Sequence, residues 1–300
     1  MSDGDAEGRD VVDQLSPERA FEIVGHETRL AILDALNDAE GALSFGDLRR
    51  RVGADDPGGF NYHLRQLTDR FVRASDEGYR LRPPGRRVVG AVLSGAFTQS
   101  MAGETVAVDG SCTVCDGSLV AAFEGDGVRV VCADCEWVNS GPAVPPAVIA
   151  DRPTEDAPAA AGRWLRRKAL SSKLGLCPNC DGRLDRRLRL PDDDDAPDWF
   201  DGHISAAVRV ADCRRCGHWW HAIAEVAILA EPAVVAFHHE HGVDAIETPA
   251  WELDWLEHGL ASVASEDPLR VAVPVTLEGE TKTFVVDRGV SVVDVRADAE

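Results

Sequence analysis

The sequence predicts an α+β, multidomain chain: an N-terminal helical unit closed by a β-hairpin, two four-cysteine modules, and a C-terminal region of helices plus a β-meander. Three observations predict it. All eight cysteines fall in Cys-x-x-Cys pairs, Cys112/Cys115, Cys132/Cys135, Cys177/Cys180 and Cys213/Cys216, and none precedes residue 112. Ahead of them, apolar residues recur at helical spacing and then give way to two short extended runs. Behind them, three runs alternate in polarity with glycine turns between. The chain has 300 residues, and single cores rarely grow past about 250–300 residues.

Residues 1–15 are expected to be a disordered acidic tail, with no basic stretch leading into an apolar one as in a signal peptide. In the unit 16–97, Pro17 opens a helix with Ala20, Phe21 and Val24 inward. Thr28 starts a second helix, with Leu30, Leu33 and Leu36 on one face. Ser44 starts a third, with Asp47 three residues on in a capping-box-like pattern and Phe45, Leu48 and Val52 at helical spacing. Asp56-Pro57 starts a fourth, because Asp is a good N-cap and Pro at the first helical position loses no needed hydrogen bond. Its buried stripe is Phe60, Leu64 and Leu67. The runs Phe71–Ser75 and Tyr79–Arg82 make a hairpin around Asp76-Glu77-Gly78, and Pro83-Pro84 stops it. A last helix carries Val88, Val89, Val92, Leu93 and Phe97 on its apolar side.

The first cysteine module spans 106–141. Residues 142–175 are expected as a Pro/Ala-rich, semi-extended connector followed by a short basic helix, Arg163–Lys173. That helix (Arg163, Arg166, Arg167, Lys168, Lys173) can touch DNA flanks or pair with the chain's own acidic surface, and the excess of carboxylates favours the second. The second module spans 176–222, with strands at Gly182–Leu190 and Ile204–Ala211 and an acidic tract, Asp192 to Asp195, as a solvated loop tip. Residues 223–300 are read as an effector or oligomerisation region. It comprises helices at Ile223–Leu229, Ala233–His241 and Trp251–His258, then strands Arg270–Leu277, Thr281–Asp287 and Val290–Val295. It serves as a ligand pocket, a dimerisation surface or a lid on the second module.

Charge separates the two parts of the chain. There are 52 acidic against 31 basic residues, for a net −21, and only three of the basic residues are lysines. An acidic, lysine-poor surface points to a halophilic cytoplasm, where molar salt screens self-repulsion. Residues 16–97 hold 12 arginines and 12 acidic residues, so they are neutral and the rest of the chain carries the whole −21. A DNA-facing domain cannot be as anionic as the remainder, because phosphate neutralisation dominates affinity. No run of about 18 apolar residues exists, so no membrane partner is expected. A cytoplasmic location follows, where reduced paired cysteines favour metal over disulfides.

Three helices followed by a hairpin is the winged helix-turn-helix order, in which the third helix of the set, the one next to the hairpin, enters the major groove. Here that helix is 57–70, and its outward residues include Gly58, Asn61, Tyr62, Arg65 and Gln66. Asn and Gln read adenine edges, and Arg reads guanine or takes a phosphate. Gly58-Gly59 lets the helix N-terminus approach the phosphate backbone. Ser44, at the start of the preceding helix, and the wing residues Arg73 and Arg80 complete the expected contacts with double-stranded DNA. His63 is expected to be packed or DNA-facing rather than a metal ligand.

The segments Glu27–Leu36, Leu43–Leu48, Phe60–Leu64 and Gly78–Leu81 together resemble the ArsR-type winged-helix transcriptional regulators, most of all haloarchaeal members with cysteine-pair domains behind the winged helix. The motifs cover roughly 17–97, under a third of the chain. The resemblance implies transcription regulation by a homodimer that pairs through the first and last helices of the unit and binds a palindromic site. The sequence departs from the metal-sensing members, having no cysteine pair at the start of the recognition helix, which puts metal-triggered release of DNA through that helix in doubt.

The eight cysteines read as two structural zinc sites, one using Cys112, Cys115, Cys132 and Cys135 and the other Cys177, Cys180, Cys213 and Cys216. Sixteen residues separate the pairs of the first, zinc-ribbon-like module and 32 those of the second. Gly117, Gly182 and Gly217 relieve crowding where backbone amides turn toward sulfur. His218, His221, His238, His239 and His241 are expected to be exposed or capping, and Trp219 and Trp220 to cover the metal site. Closed tetrahedra leave no open position for catalysis, and no nucleophile–base constellation or phosphate loop occurs, so no enzyme is expected. Two other readings stand beside the regulator: a basal-transcription-like factor docking on polymerase, and a redox or metal sensor with one labile cysteine site.

Overall fold

The computed structural model describes residues 15–112, 114–141, 143–256 and 260–297. The expected acidic tail lies almost entirely outside them. The protein is a mixed α+β chain with N-terminal helices and several antiparallel sheets. It divides after Thr98 into two compact units.

The first unit runs α1 (Pro17–Val24), α2 (Glu27–Asn37), α3 (Phe45–Val52), α4 (Pro57–Leu67), β1 (Val72–Ser75), β2 (Gly78–Leu81) and α5 (Pro83–Leu93). Local chemistry sets each boundary. The Ser16 hydroxyl caps α1, accepting from the Arg19 N–H at 3.3 Å. Helix α2 begins one residue before Thr28, because the His26 imidazole is its cap and Nδ1 accepts from the Thr28 N–H at 3.1 Å. Gly53 ends α3 in the left-handed conformation. Gly78 has φ +118, and an added Cβ there would collide with the Leu43 carbonyl, so the wing can pair with Leu43 only through glycine. The core gathers Ile32, Leu33, Leu36, Leu48, Phe60, Leu64, Leu67, Phe71 and Val72.

Two expected apolar faces differ. On α1 it is Ile23 that is buried, while Phe21 is 75% exposed. Two residues on a helix are about 200° apart, so both cannot face the core. On α5, Gly85 and Val89 turn inward, four residues apart, leaving Val92 and Leu93 exposed. Phe97, beyond the helix end, is 80% exposed.

The second unit opens with an antiparallel sheet of β3 (Met101–Ser111), β4 (Ser118–Gly125), β5 (Gly127–Cys132) and β6 (Val138–Ser140). The span expected as a connector is instead helical from Ala157. Helix α6 (Ala157–Lys173) buries Ala157 and Ala161 against this sheet's core, because small residues let the helix approach closely. Its basic residues are not a free stripe. Arg166 is buried, Lys168 lies 4.2 Å from the Trp164 ring centroid, and Lys173 meets Glu231 at 2.7 Å and the Ala230 carbonyl at 2.8 Å.

A three-stranded sheet follows: β7 (Leu184–Arg189), β8 (Val208–Cys213) and β9 (Trp219–Ile223). The acidic tract between β7 and β8 is pinned rather than free. Asp195 takes both Arg187, at 2.8 Å, and Arg189, and these two hold its carboxyl down to about 2, Arg189 contributing first. Asp193 accepts from the Leu190 N–H at 2.9 Å.

Helices α7 (Ala224–Ala227) and α8 (Pro232–Glu240) pack on a sheet ordered β10 (Ser262–Glu266), β11 (Leu269–Leu277), β12 (Glu280–Asp287) and β13 (Val292–Ala297). The expected meander thus gains a fourth strand, β10, too polar to be seen by alternation. In place of a helix over Trp251–His258 there is a short 3-10 turn at Ala250–Glu252, and residues 257 and 258 lie outside the described residues. The two tryptophans serve different cores: Trp255 joins that of α7, α8 and the last sheet, while Trp251 packs against the first sheet. Trp255 Nε1 donates to His238 Nε2 at 2.9 Å, and His238 Nδ1 meets the Val234 carbonyl at 2.7 Å. His238 is therefore a satisfied core residue, not an exposed one.

Glu225, on α7, is fully buried. Its Oε1 accepts from the Ala261 N–H at 2.9 Å, whereas Oε2 is enclosed without a partner. Burial holds its pKa above the usual carboxylate value. A raised folded pKa means that stability falls as pH climbs from about 4.5 through that raised value. Glu225→Gln keeps the Ala261 acceptor and removes the charge, and an ionised oxygen without a partner costs more than the roughly 1–3 kcal/mol of a neutral one. Thermal denaturation of the variant above the raised pKa is expected to show a midpoint higher by a few degrees and a flatter pH profile. A variant with the same pH slope as the parent refutes this role.

Candidate metal centres and nucleic-acid interface

Each Cys-x-x-Cys pair is a turn of the same construction. The N–H of the residue after the second cysteine donates to the carbonyl of the first: Asp116 to Cys112 at 2.8 Å, Glu136 to Cys132 at 3.1 Å, Asp181 to Cys177 at 3.0 Å and Gly217 to Cys213 at 3.0 Å. The N–H of each first cysteine donates to the carbonyl five residues on, that of Gly117, Trp137, Gly182 or His218, at 2.8–2.9 Å. Asp116, Glu136, Asp181 and Gly217 all have φ between 58° and 69°. This fold of the backbone aims amides at sulfur, as from Val114 to Cys112, Asp134 to Cys132, Asn179 to Cys177 and Arg215 to Cys213, each at 3.4 Å.

The turns meet in pairs. Sγ atoms stand 3.7 Å apart for Cys112 and Cys135 and 3.5 Å for Cys115 and Cys132. In the second group they are 3.7 Å apart for Cys177 and Cys216 and 3.6 Å for Cys180 and Cys213. Four sulfurs around a tetrahedral ion with bonds of about 2.3 Å stand about 3.8 Å apart. Both groups of four fit such an ion and can hold one each, their ligand atoms all lying within 4.8 Å of one another. The register repeats as well: Leu119 opposes Cys132 and Leu184 opposes Cys213, each leucine four residues after the second cysteine of its turn and each buried.

Proton affinities are split within each group. The Cys135 backbone N–H is the main influence holding Cys132 down to about 7, and the His218 N–H is the main one holding Cys216 down to about 6. Gly117 and Gly182 amides pull on Cys115 and Cys180, but neighbouring thiols push both up to about 12. A bound cation would release the remaining protons. An added Cβ on Gly117 would displace the Asp134 carboxylate and crowd the Cys132 sulfur at 3.0 Å. Trp220 packs against the small core formed by Cys177, Leu184, Ala211 and Cys213, as expected, but Trp219 is 63% exposed and does not cover it. Trp219 stacks on His221 instead, 4.8 Å between centroids. Asn179 Nδ2 donates to Cys216 at 3.7 Å, a contact that spacing alone does not show.

A family model described as a domain of unknown function, DUF7351, matches residues 109–292, more than half of the chain and both cysteine groups. The chain belongs to the DUF7351 family. A second domain of unknown function, DUF7347, matches residues 17–92 of this DUF7351 protein. No curated protein and no solved structure matches it.

In the first unit of this DUF7351 protein, α4 presents a shallow recess of about 400 Å³ lined by Gly58, Asn61, Tyr62, Arg65 and Gln66. These are five of the residues expected to face DNA. Asn61, Tyr62 and Arg65 are exposed, while Gln66 is half-buried, its Oε1 3.4 Å from an Arg19 guanidinium nitrogen. Three expectations change. The N–H groups of Gly58 and Gly59 both donate to the Asp56 carboxylate at 2.8 Å, so that helix N-terminus has no free amides there for a phosphate. The Ser44 hydroxyl is committed to Asp47, donating to its carboxylate at 2.6 Å. Arg80 pairs with Glu77 at 3.0 Å, across the wing from Arg73. His63 is half-buried against His26, 4.1 Å between ring centroids, and burial lowers its pKa, with help from His26 and Arg29. It is a packing residue kept neutral.

Native mass spectrometry is expected to find two metal ions per chain. Cys132→Ser and Cys213→Ser should each lose one ion and keep the other. Loss of both ions from either variant would mean that the groups are not separate sites.

Proposed function

We propose that this protein is a DNA-binding transcriptional regulator. Its first unit is a winged helix-turn-helix, and two structural zinc ions hold zinc-ribbon-like modules in the second. The observation that carries the reading is the recess on α4, where Asn61, Tyr62 and Arg65 stand exposed together on the helix preceding the wing. Neutrality of residues 16–97 within a chain of −21 supports it. With the helix amides of Gly58 and Gly59 satisfied, side chains rather than backbone carry the contacts. Zinc suits four thiolates at this spacing, and each ion contributes roughly 10 kcal/mol or more to folding its module.

The apolar residues left exposed on α1 and α5, Phe21, Val92 and Leu93, with Phe97 beyond, support a homodimer through these helices. The sensor reading has one observation in its favour: Cys115, Cys135 and Cys216 are exposed, so an oxidant can reach both groups. Docking on polymerase draws support from Val138 and Trp219, which stand exposed three residues after the last cysteine of each module.

Selection of bound DNA from a random pool in molar salt should yield a defined site. Against that site, Arg65→Ala and Asn61→Ala are each expected to cost about 1–3 kcal/mol, roughly 5- to 150-fold in affinity, by fluorescence anisotropy. Affinity unchanged in both variants would remove α4 as the reader. Sedimentation equilibrium of Leu93→Glu/Phe97→Glu should give a monomer with the helical signal of the first unit retained, while a persistent dimer would place the interface elsewhere.

A further inference from the structure

One face of the β7–β8–β9 sheet carries a charge that its surroundings do not balance. The register sets Arg186, Ala211 and Trp220 in one row and Leu188, Arg209 and Ala222 in the next, all on the same face. Small residues flank the middle of this face, Ala211 beside Trp220 and Ala222 beside Arg209. Arg209 is 3% exposed, its guanidinium carbon 5.3 Å from the Trp220 ring centroid. Its Nε is buried without a hydrogen-bond partner, and among the described residues its guanidinium forms no hydrogen bond or ion pair. The charged neighbour acting on it is another cation. Burial first, then Arg186, bring Arg209 down to about 10, so it stays protonated at neutral pH.

Taking an unpaired guanidinium out of water is costly, and an indole face offsets only part of that cost. Composition does not explain the missing carboxylate, since residues outside 16–97 hold 40 acidic groups against 19 basic. Four other arginines of this module find one. Arg187 and Arg189 share Asp195, and Arg183 and Arg214 share Asp185. At Arg209 the chain supplies a second arginine instead. Two guanidinium groups close enough to act on each other suit an oxyanion.

We infer that Arg209 and Arg186 form a binding site for a small oxyanion, a phosphate group free or carried on a small molecule, whose charge takes the place of the absent carboxylate. Arg186 is only half-buried and so reaches solvent. Trp220, whose ring faces Arg209, packs against the small core that includes Cys177 and Cys213, so an anion held here stiffens the second cysteine module. The inference does not depend on the DNA-reading proposal.

The test uses the full chain with its metal bound. Thermal unfolding is followed in rising potassium phosphate against potassium chloride at matched ionic strength, with ribose 5-phosphate as a third arm. The wild-type midpoint is expected to rise with phosphate and not with chloride. Arg186→Gln should weaken the apparent affinity at least about tenfold, the scale of one charge-assisted contact. Arg209→Met should abolish the rise, and Arg183→Gln, on the exposed surface, should leave it intact. The phosphate-dependent change is the readout, because removing an unpaired buried charge itself alters the baseline. If Arg209→Met does not fold, calorimetric phosphate titration of Arg186→Gln decides. A stronger response to ribose 5-phosphate than to inorganic phosphate assigns the site to a carried group, and the reverse to the free anion. No phosphate-specific rise in the wild type, or equal rises in Arg186→Gln and Arg183→Gln, overturns the inference.

Discussion

Four thiols drawn within 4.8 Å of one another are the constraint on which most of the second unit rests. Each cysteine turn spends its backbone hydrogen bonds on closing itself and points its spare amides at sulfur. Such a turn stabilises one thiolate; it cannot stabilise four. A cation at the centre would resolve the repulsion and tie two turns, distant in sequence, into one corner of a sheet. The strands are then placed by the turns, which is why Leu119 and Leu184 sit opposite Cys132 and Cys213 in matching register. The two modules are therefore one design used twice. The second carries a long insertion between β7 and β8, held down by Asp195 and by Phe200, which is buried beside Val208 and Val210.

Charge is managed differently in the two units. In the first, acidic side chains work at helix starts. Asp56 holds two amides of α4 and Asp47 holds the Ser44 hydroxyl, so negative charge is used for capping while arginines remain outward. This removes the amides a phosphate would otherwise meet and leaves Asn61, Tyr62 and Arg65 as the chemically available face of α4. In the second unit most acidic groups are solvated, and some clamp loops onto arginines of β7. Salt screens exposed pairs such as Arg183–Asp185 strongly. Partly buried ones such as Lys173–Glu231 keep more of their attraction.

Much of the site was legible in the sequence, for identifiable reasons. The cysteine spacing leaves few arrangements, and the structure brings together the two groups of four that spacing indicates. The outward set of α4 follows from the inward stripe Phe60, Leu64 and Leu67, since helical geometry leaves no other choice. What could not be read depends on contacts between distant segments. Ala157 and Ala161 look like linker composition until the sheet they pack on is known. Trp251 and Trp255 have the spacing of one stripe, but two cores compete for them. The polar strand β10 exists because β11 offers it an edge. Phe21 and Phe97 are apolar yet exposed, and a single chain's core cannot account for them.

Several interior polar groups of the second unit are met by partners, whereas Ser172 Oγ, Trp251 Nε1 and Arg209 Nε are not. Lys173 is met by Glu231 and the Ala230 carbonyl. His238 is satisfied at both ring nitrogens. Glu225 is half-satisfied and can relieve the remainder by taking a proton, a route open to any buried carboxyl. Arg209 has no such route, because a guanidinium cannot lose its proton within the range where proteins fold. A carboxylate can be buried alone and neutralise itself, whereas an arginine needs something brought to it. In a chain with this surplus of acid, a buried arginine facing a second arginine is thus a position where the proposed oxyanion would balance the charge.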